Sequence, residues 1–134
     1  MSANGPAGAA LKGFGAAGAA LGGLGVIAGA FGAHGLRAAL TPERLAIWHT
    51  AANYQLIHAL ALVATALLLA WRPSRAARVA GWAFLAGVVV FSGSLYLLAV
   101  TDVGWLGAIT PIGGVAFILG WGALAWAFRG EPVA

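Results

Sequence analysis

Four apolar runs, at about residues 13–33, 45–70, 79–100 and 112–128, are long enough to cross a bilayer, for which about 20 residues are needed. The connections between them are short, so consecutive helices are expected to run antiparallel in one bundle with no second domain. With 62% hydrophobic and 7% charged residues among 134, the chain has too little polar surface for a water-soluble domain, where roughly a quarter of residues carry charge. The predicted fold is all-α: an integral membrane four-helix bundle, with residues 1–134 as a single four-span domain.

Proline placement agrees with these spans, because a proline inside a helix removes a hydrogen bond and clashes with the preceding turn. Pro42 follows Thr41 and Pro111 follows Thr110, the arrangement of a hydroxyl N-cap with proline in the first helical position. Pro73 sits in the second connection, and Pro6 and Pro132 fall in the tails.

The formal charge of +4 does not point to nucleic acid, since no basic stripe or aromatic platform gathers the charges. In a four-span chain, Lys12, Arg72, Arg75, Arg78 and Arg129 fall on one side and Arg37 and Arg44 on the other. The positive-inside rule then predicts both termini and the second connection on the cytoplasmic side. Lys12 and Ala28-Gly29-Ala30 imitate a signal peptide and its cleavage site. The apolar run continues past that site, so the segment is expected to stay as a membrane span. With no cysteine in the sequence, disulfides, thiolate metal sites and cysteine nucleophiles are excluded.

Gly15, Gly18, Gly22, Gly25, Gly29 and Gly32 recur at alternating steps of three and four, the left-handed packing period. Each internal glycine costs a helix in water about 1 kcal/mol against alanine. In lipid the same smooth stripe lets a neighbouring backbone approach. Similar spacing recurs in Ala76, Ala80, Ala83 and Gly87, and in Gly113, Ala116, Gly120, Ala123 and Ala127. Trp71, Trp82 and Trp126 are placed at the cytoplasmic boundary, and Trp48 and Trp105 at the outer one, as interfacial anchors.

Polar residues gather toward the outer face. His34 closes the first run. His49, Asn53, Tyr54, Gln55 and His58 occupy the outer half of the second, and Ser92, Ser94, Tyr96 and Asp102 the outer end of the third. His58 lies roughly 20 Å along its helix, a depth at which ionisable groups face a bundle interior or cavity and mark a functional site by default. Helical spacing puts His49 with Asn53 on one face and Tyr54 with His58 on nearly the opposite one. Quieter readings stay open beside a polar pocket open to the non-cytoplasmic side: interhelical hydrogen bonds for Asn53, Gln55, Ser92 and Ser94, boundary contacts with headgroups for His34, Arg37, Tyr96 and Asp102, and a neutral His58 held by Tyr96 or a backbone carbonyl.

Chemistry of other kinds lacks its motif. His34, His49 and His58 with Asp102 or Glu43 do not have the spacing of a metal site, and no nucleophile elbow, zincin or nucleotide fingerprint occurs in context. No catalytic residue, metal or cofactor is expected. The near absence of polar residues from the cytoplasmic half argues against a path across the bilayer.

The strings GAFGAHGL (29–36), HTAANYQLIHALAL (49–62), FSGSLYLL (91–98) and ITPIGGVAFILGW (109–121) resemble the YgdD/YwdK-type family of small four-helix membrane proteins, bacterial with eukaryotic relatives. The resemblance touches all four runs. It implies a multi-pass membrane protein with no assigned activity, and it supplies no site residues. The leading expectation is a non-enzymatic protein that packs against membrane lipid, a second copy or a membrane complex as accessory subunit, with the glycine stripe facing that partner. The competing expectation is a small carrier or sensor that binds a polar ligand or proton, with His58, Tyr54 and Tyr96 as its deepest contacts.

Overall fold

A computed structural model describes residues 4–130 and contains four helices apolar and long enough to span a membrane: Pro6–His34, Pro42–Trp71, Arg75–Thr101 and Leu106–Phe128. They are called the first to fourth helix below. The second and third helices pack along each other, the first lies along the second, and the fourth lies along the third. The central pair therefore carries one outer helix on each flank.

Helix ends account for the differences from the predicted spans. The first helix begins at Pro6, which occupies its first position, so a residue placed in the tail is the start signal itself. Lys12 lies inside this helix, exposed, within a π-helical turn at Leu11–Gly15; its alkyl stem can carry the ammonium toward the interface. Thr41 caps the second helix, its Oγ1 accepting from the Arg44 N–H at 3.3 Å with Pro42 in the first position. Thr110 and Pro111 behave differently. The fourth helix starts earlier, at Leu106, through tight backbone bonds from Leu106 to Val103, Gly107 to Gly104 and Ala108 to Trp105. Pro111 consequently lies within the helix, as its sixth residue, where the Gly107 carbonyl loses its usual donor. Pro132 lies outside the described residues.

The glycine stripe lies against the second helix of the same chain, which corrects the expectation that it faces another chain or lipid. Gly18, Gly25 and Gly32, seven residues apart, are buried. A Cβ at Gly18 would sit 2.9 Å from the Ala59 carbonyl oxygen, one at Gly25 2.9 Å from Leu56 Cδ2, and one at Gly32 2.6 Å from Trp48 Cδ1. The alternate members have more room: nothing lies within 4 Å of a Cβ at Gly29, and Gly22 would only touch Ala59 at 3.9 Å. A helix turning every 3.6 residues keeps one seven-residue series at the contact and leaves the other at its edge.

Between the third and fourth helices, glycines receive phenylalanine rings. Phe84 lies against Gly120, Phe117 against Gly87, and Phe91 against Gly113, where side chain and backbone both crowd the position. Phe84 and Phe117 join Leu62, Leu69, Val88 and Leu124 in a buried core, with the half-buried Phe91 packed against it. A second π-helical turn, Val88–Ser92, interrupts the third helix beside it, adding a residue to that turn.

Candidate functional site

The ten polar residues do not form one pocket. The second helix turns Gln55 and His58 in different directions. Toward the first helix, Gln55 Nε2 donates to the Leu21 carbonyl at 2.8 Å while its Oε1 accepts from Tyr96 Oη at 2.7 Å. Trp48 donates its indole N–H to the Ala28 carbonyl at 2.8 Å and meets the Tyr96 ring edge-on, centroids 4.6 Å apart. Trp48 is thus a wedge tying two helices rather than the boundary anchor expected. Trp71, Trp82, Trp105 and Trp126 are exposed.

Toward the fourth helix, His58 is buried in an aromatic box. Its ring stacks on Phe117 with centroids 3.5 Å apart, and Phe84, Tyr54 and Trp121 close the sides. Nδ1 is 2.7 Å from the Tyr54 carbonyl, and the Trp121 indole N–H reaches Nε2 at 3.0 Å. A carbonyl only accepts and an indole only donates, so Nδ1 carries the proton and Nε2 accepts. Both ring nitrogens are occupied and the imidazole is neutral. Of the two expected partners, a backbone carbonyl holds His58, and Tyr96 is engaged with Gln55 instead. Trp121, which the sequence did not single out, completes the site; an aromatic at a helix's lipid boundary carries no mark of its donor role.

Ser92 donates to the Ala51 carbonyl at 2.8 Å, and Ser94 pairs with Thr110 at 2.7 Å while also reaching the Phe91 carbonyl. Among the described residues no buried side-chain nitrogen or oxygen lacks a partner. The remaining candidates are separate. His34, Asn53 and Asp102 are exposed, and His49 is half-buried beside Gly32. Asp102 ends the third helix in the left-handed region at φ 58°, a conformation asparagine and aspartate tolerate. Among the described residues no three His, Cys, Asp or Glu side chains converge as metal ligands.

Arginines fasten helix ends at both faces. Arg44 donates through Nε and Nη2 to the Ala99 and Val100 carbonyls, each at 2.6 Å, placing a cation on the C-terminal carbonyls of the third helix. Arg72 bonds the Gly130 carbonyl at the other end. Pro6, Pro73 and Arg78 line one hollow of about 450 Å³. The N-terminal end, the second connection and the end of the fourth helix therefore share one side. A second hollow of about 440 Å³ runs between the first and third helices, with Trp48, Gln55, Ser92 and Tyr96 in its wall beside Leu24 and Val89. The last two are exposed mid-helix residues, so it opens on the flank and not at an end.

The family model described as "Protein of unknown function (DUF423)" matches residues 28–114. The membrane protein YwdK of Bacillus subtilis is 50% identical over 90 residues, covering 66% of this chain and 72% of that protein. Membrane proteins of Staphylococcus haemolyticus and Staphylococcus epidermidis are 47% and 49% identical over 88 residues, each covering 66% of this chain and 71% of the relative. No solved structure matches. With its four apolar helices and these relatives, the chain belongs to the DUF423 family, multi-pass membrane proteins of unknown function.

Proposed function

We propose that this is a non-enzymatic protein of the bacterial plasma membrane that acts by packing laterally against a partner in the bilayer, its polar cluster serving as internal glue. The observation that carries this reading is the closed hydrogen bonding of Gln55, His58, Ser92, Ser94 and Thr110, each held within the chain. Such bonds fix helix register and average about 0.6 kcal/mol each in membrane bundles. They leave recognition to the lipid-facing surface. The basic end, with Arg72, Arg75, Arg78 and Arg129 against Arg37 and Arg44 opposite, supports cytoplasmic termini.

Native mass spectrometry of the chain, expressed at its natural level and released in mild detergent, tests the reading. A defined added mass is expected. A bare monomer would overturn it and favour a second reading, ligand capture in the flank hollow, for which Gln55, Ser92 and Tyr96 in one wall speak. That second reading requires Tyr96→Phe to weaken binding without unfolding the bundle.

A further inference from the structure

Asn53, like His49 and the Tyr54 hydroxyl, is a polar group of the second helix that the internal network leaves out. Its side chain is exposed and makes no hydrogen bond with any described residue. The 30-residue second helix is about 45 Å long against a hydrocarbon core of about 30 Å, so about 7 Å emerges at each side when it is centred. Asn53 lies about 17 Å from Pro42, well inside the core. Gln55, two residues on, is buried and bonded at both ends. Asn53 instead faces the region of acyl chains, which offer no donor or acceptor.

The surface around it is patterned. Thr50, Asn53, Ile57, Leu60, Ala64 and Leu67 are all exposed and follow one another at alternating steps of three and four. That is the seam of a left-handed helix pair, in which one asparagine sets register and copy number. Thr50 Oγ1 turns back to the Ala46 carbonyl, so the unsatisfied group on this face is the amide.

From these observations we infer that a second copy of this chain docks on the lipid-facing seam of the second helix, in parallel, with the two Asn53 amides paired across a two-fold axis. A carboxamide is self-complementary: each NH2 donates to the other's oxygen, giving two bonds and satisfying both groups. A copy inserted in the same orientation carries its own Asn53 at the same depth, and two-fold symmetry brings equal positions together. A lipid tail offers no such group. The inference rests on the lateral-packing reading and names its partner.

The chain contains no cysteine, which permits single-cysteine cross-linking of the full protein in native membranes. Ile57→Cys on the seam should give a cross-linked dimer, and Ile118→Cys, 72% exposed on the fourth helix, should not. Adding Asn53→Leu should lower the cross-linked fraction at Ile57→Cys by about fivefold or more, with Asn53→Gln retaining most of it. Equal cross-linking at Ile57→Cys and Ile118→Cys, or no effect of Asn53→Leu, would overturn the pairing. The comparison of seam and flank needs no change at Asn53 and stands if that variant misfolds. An added mass of a different protein or a lipid, without a seam cross-link, would overturn the pairing while leaving lateral packing intact. No added mass and no cross-link would overturn both.

Discussion

The indole N–H of Trp121 donates to Nε2 of His58 across 3.0 Å, and this bond, with the Tyr54 carbonyl at Nδ1, turns the deepest ionisable group of the bundle into a neutral crosslink between the second and fourth helices. A histidine with both nitrogens engaged and a phenylalanine ring stacked on its face is held as packing. Its rotamer, tautomer and neighbours are mutually fixed.

Removing the indole donor should leave Nε2 unpaired among rings. Trp121→Phe is expected to lower the stability of the purified protein, and a double-mutant cycle with His58→Leu should return a coupling of about 0.6 kcal/mol or more, the average for hydrogen bonds between membrane helices, up to a maximum of about 1.7 kcal/mol. Thermal unfolding in detergent followed by size-exclusion fluorescence measures it. Additive single-mutant effects would show that the bond contributes no coupling.

The glycine seam makes a positional prediction. Gly18→Ala places a methyl 2.9 Å from the Ala59 carbonyl oxygen, so helix backbones must separate, at a cost of about 1–3 kcal/mol. Gly29→Ala meets open space and should be neutral or slightly stabilising, alanine being the better helix former. Melting temperatures of the two variants, measured side by side, should differ in that order; equal values would mean that the first helix is not seated on the second.

Arg44 should resist conservative replacement. Its guanidinium reaches two successive carbonyls at the end of the third helix, a fork that an ammonium cannot reproduce. Arg44→Lys and Arg44→Met are both expected to destabilise by about 0.5–2 kcal/mol. Faster hydrogen exchange of amides near Thr101 in both variants would report the freed helix end, and full protection in the lysine variant would count against it.

Orientation is testable through the same absence of cysteine. On intact cells a membrane-impermeant maleimide should label Ala38→Cys, in the first connection, and spare Pro73→Cys, in the second; both positions are exposed. Permeabilised cells should label both. The reverse pattern would place the arginine-rich end outside, against the charge rule.

What the sequence determined by itself is what depends on local composition. Run length gave the four spans, the Thr41–Pro42 pair marked the start of the second helix, and the arginines marked which ends lie together. Even local grammar had limits: Thr110–Pro111 reads like Thr41–Pro42, yet the chain is already helical from Leu106, and Pro111 sits inside the helix at the loss of one backbone bond. The tertiary structure alone decided how each helix is rotated about its axis. In a soluble protein the buried face announces itself by being apolar. In lipid both faces are apolar, so nothing in the sequence of the second helix says that Gln55 turns inward to Leu21 and Tyr96 while Asn53 turns outward. For the same reason the glycine stripe could be read as a packing face without revealing whose backbone fills it, and His58 as a deep polar group without revealing that Trp121, 63 residues away, supplies its donor.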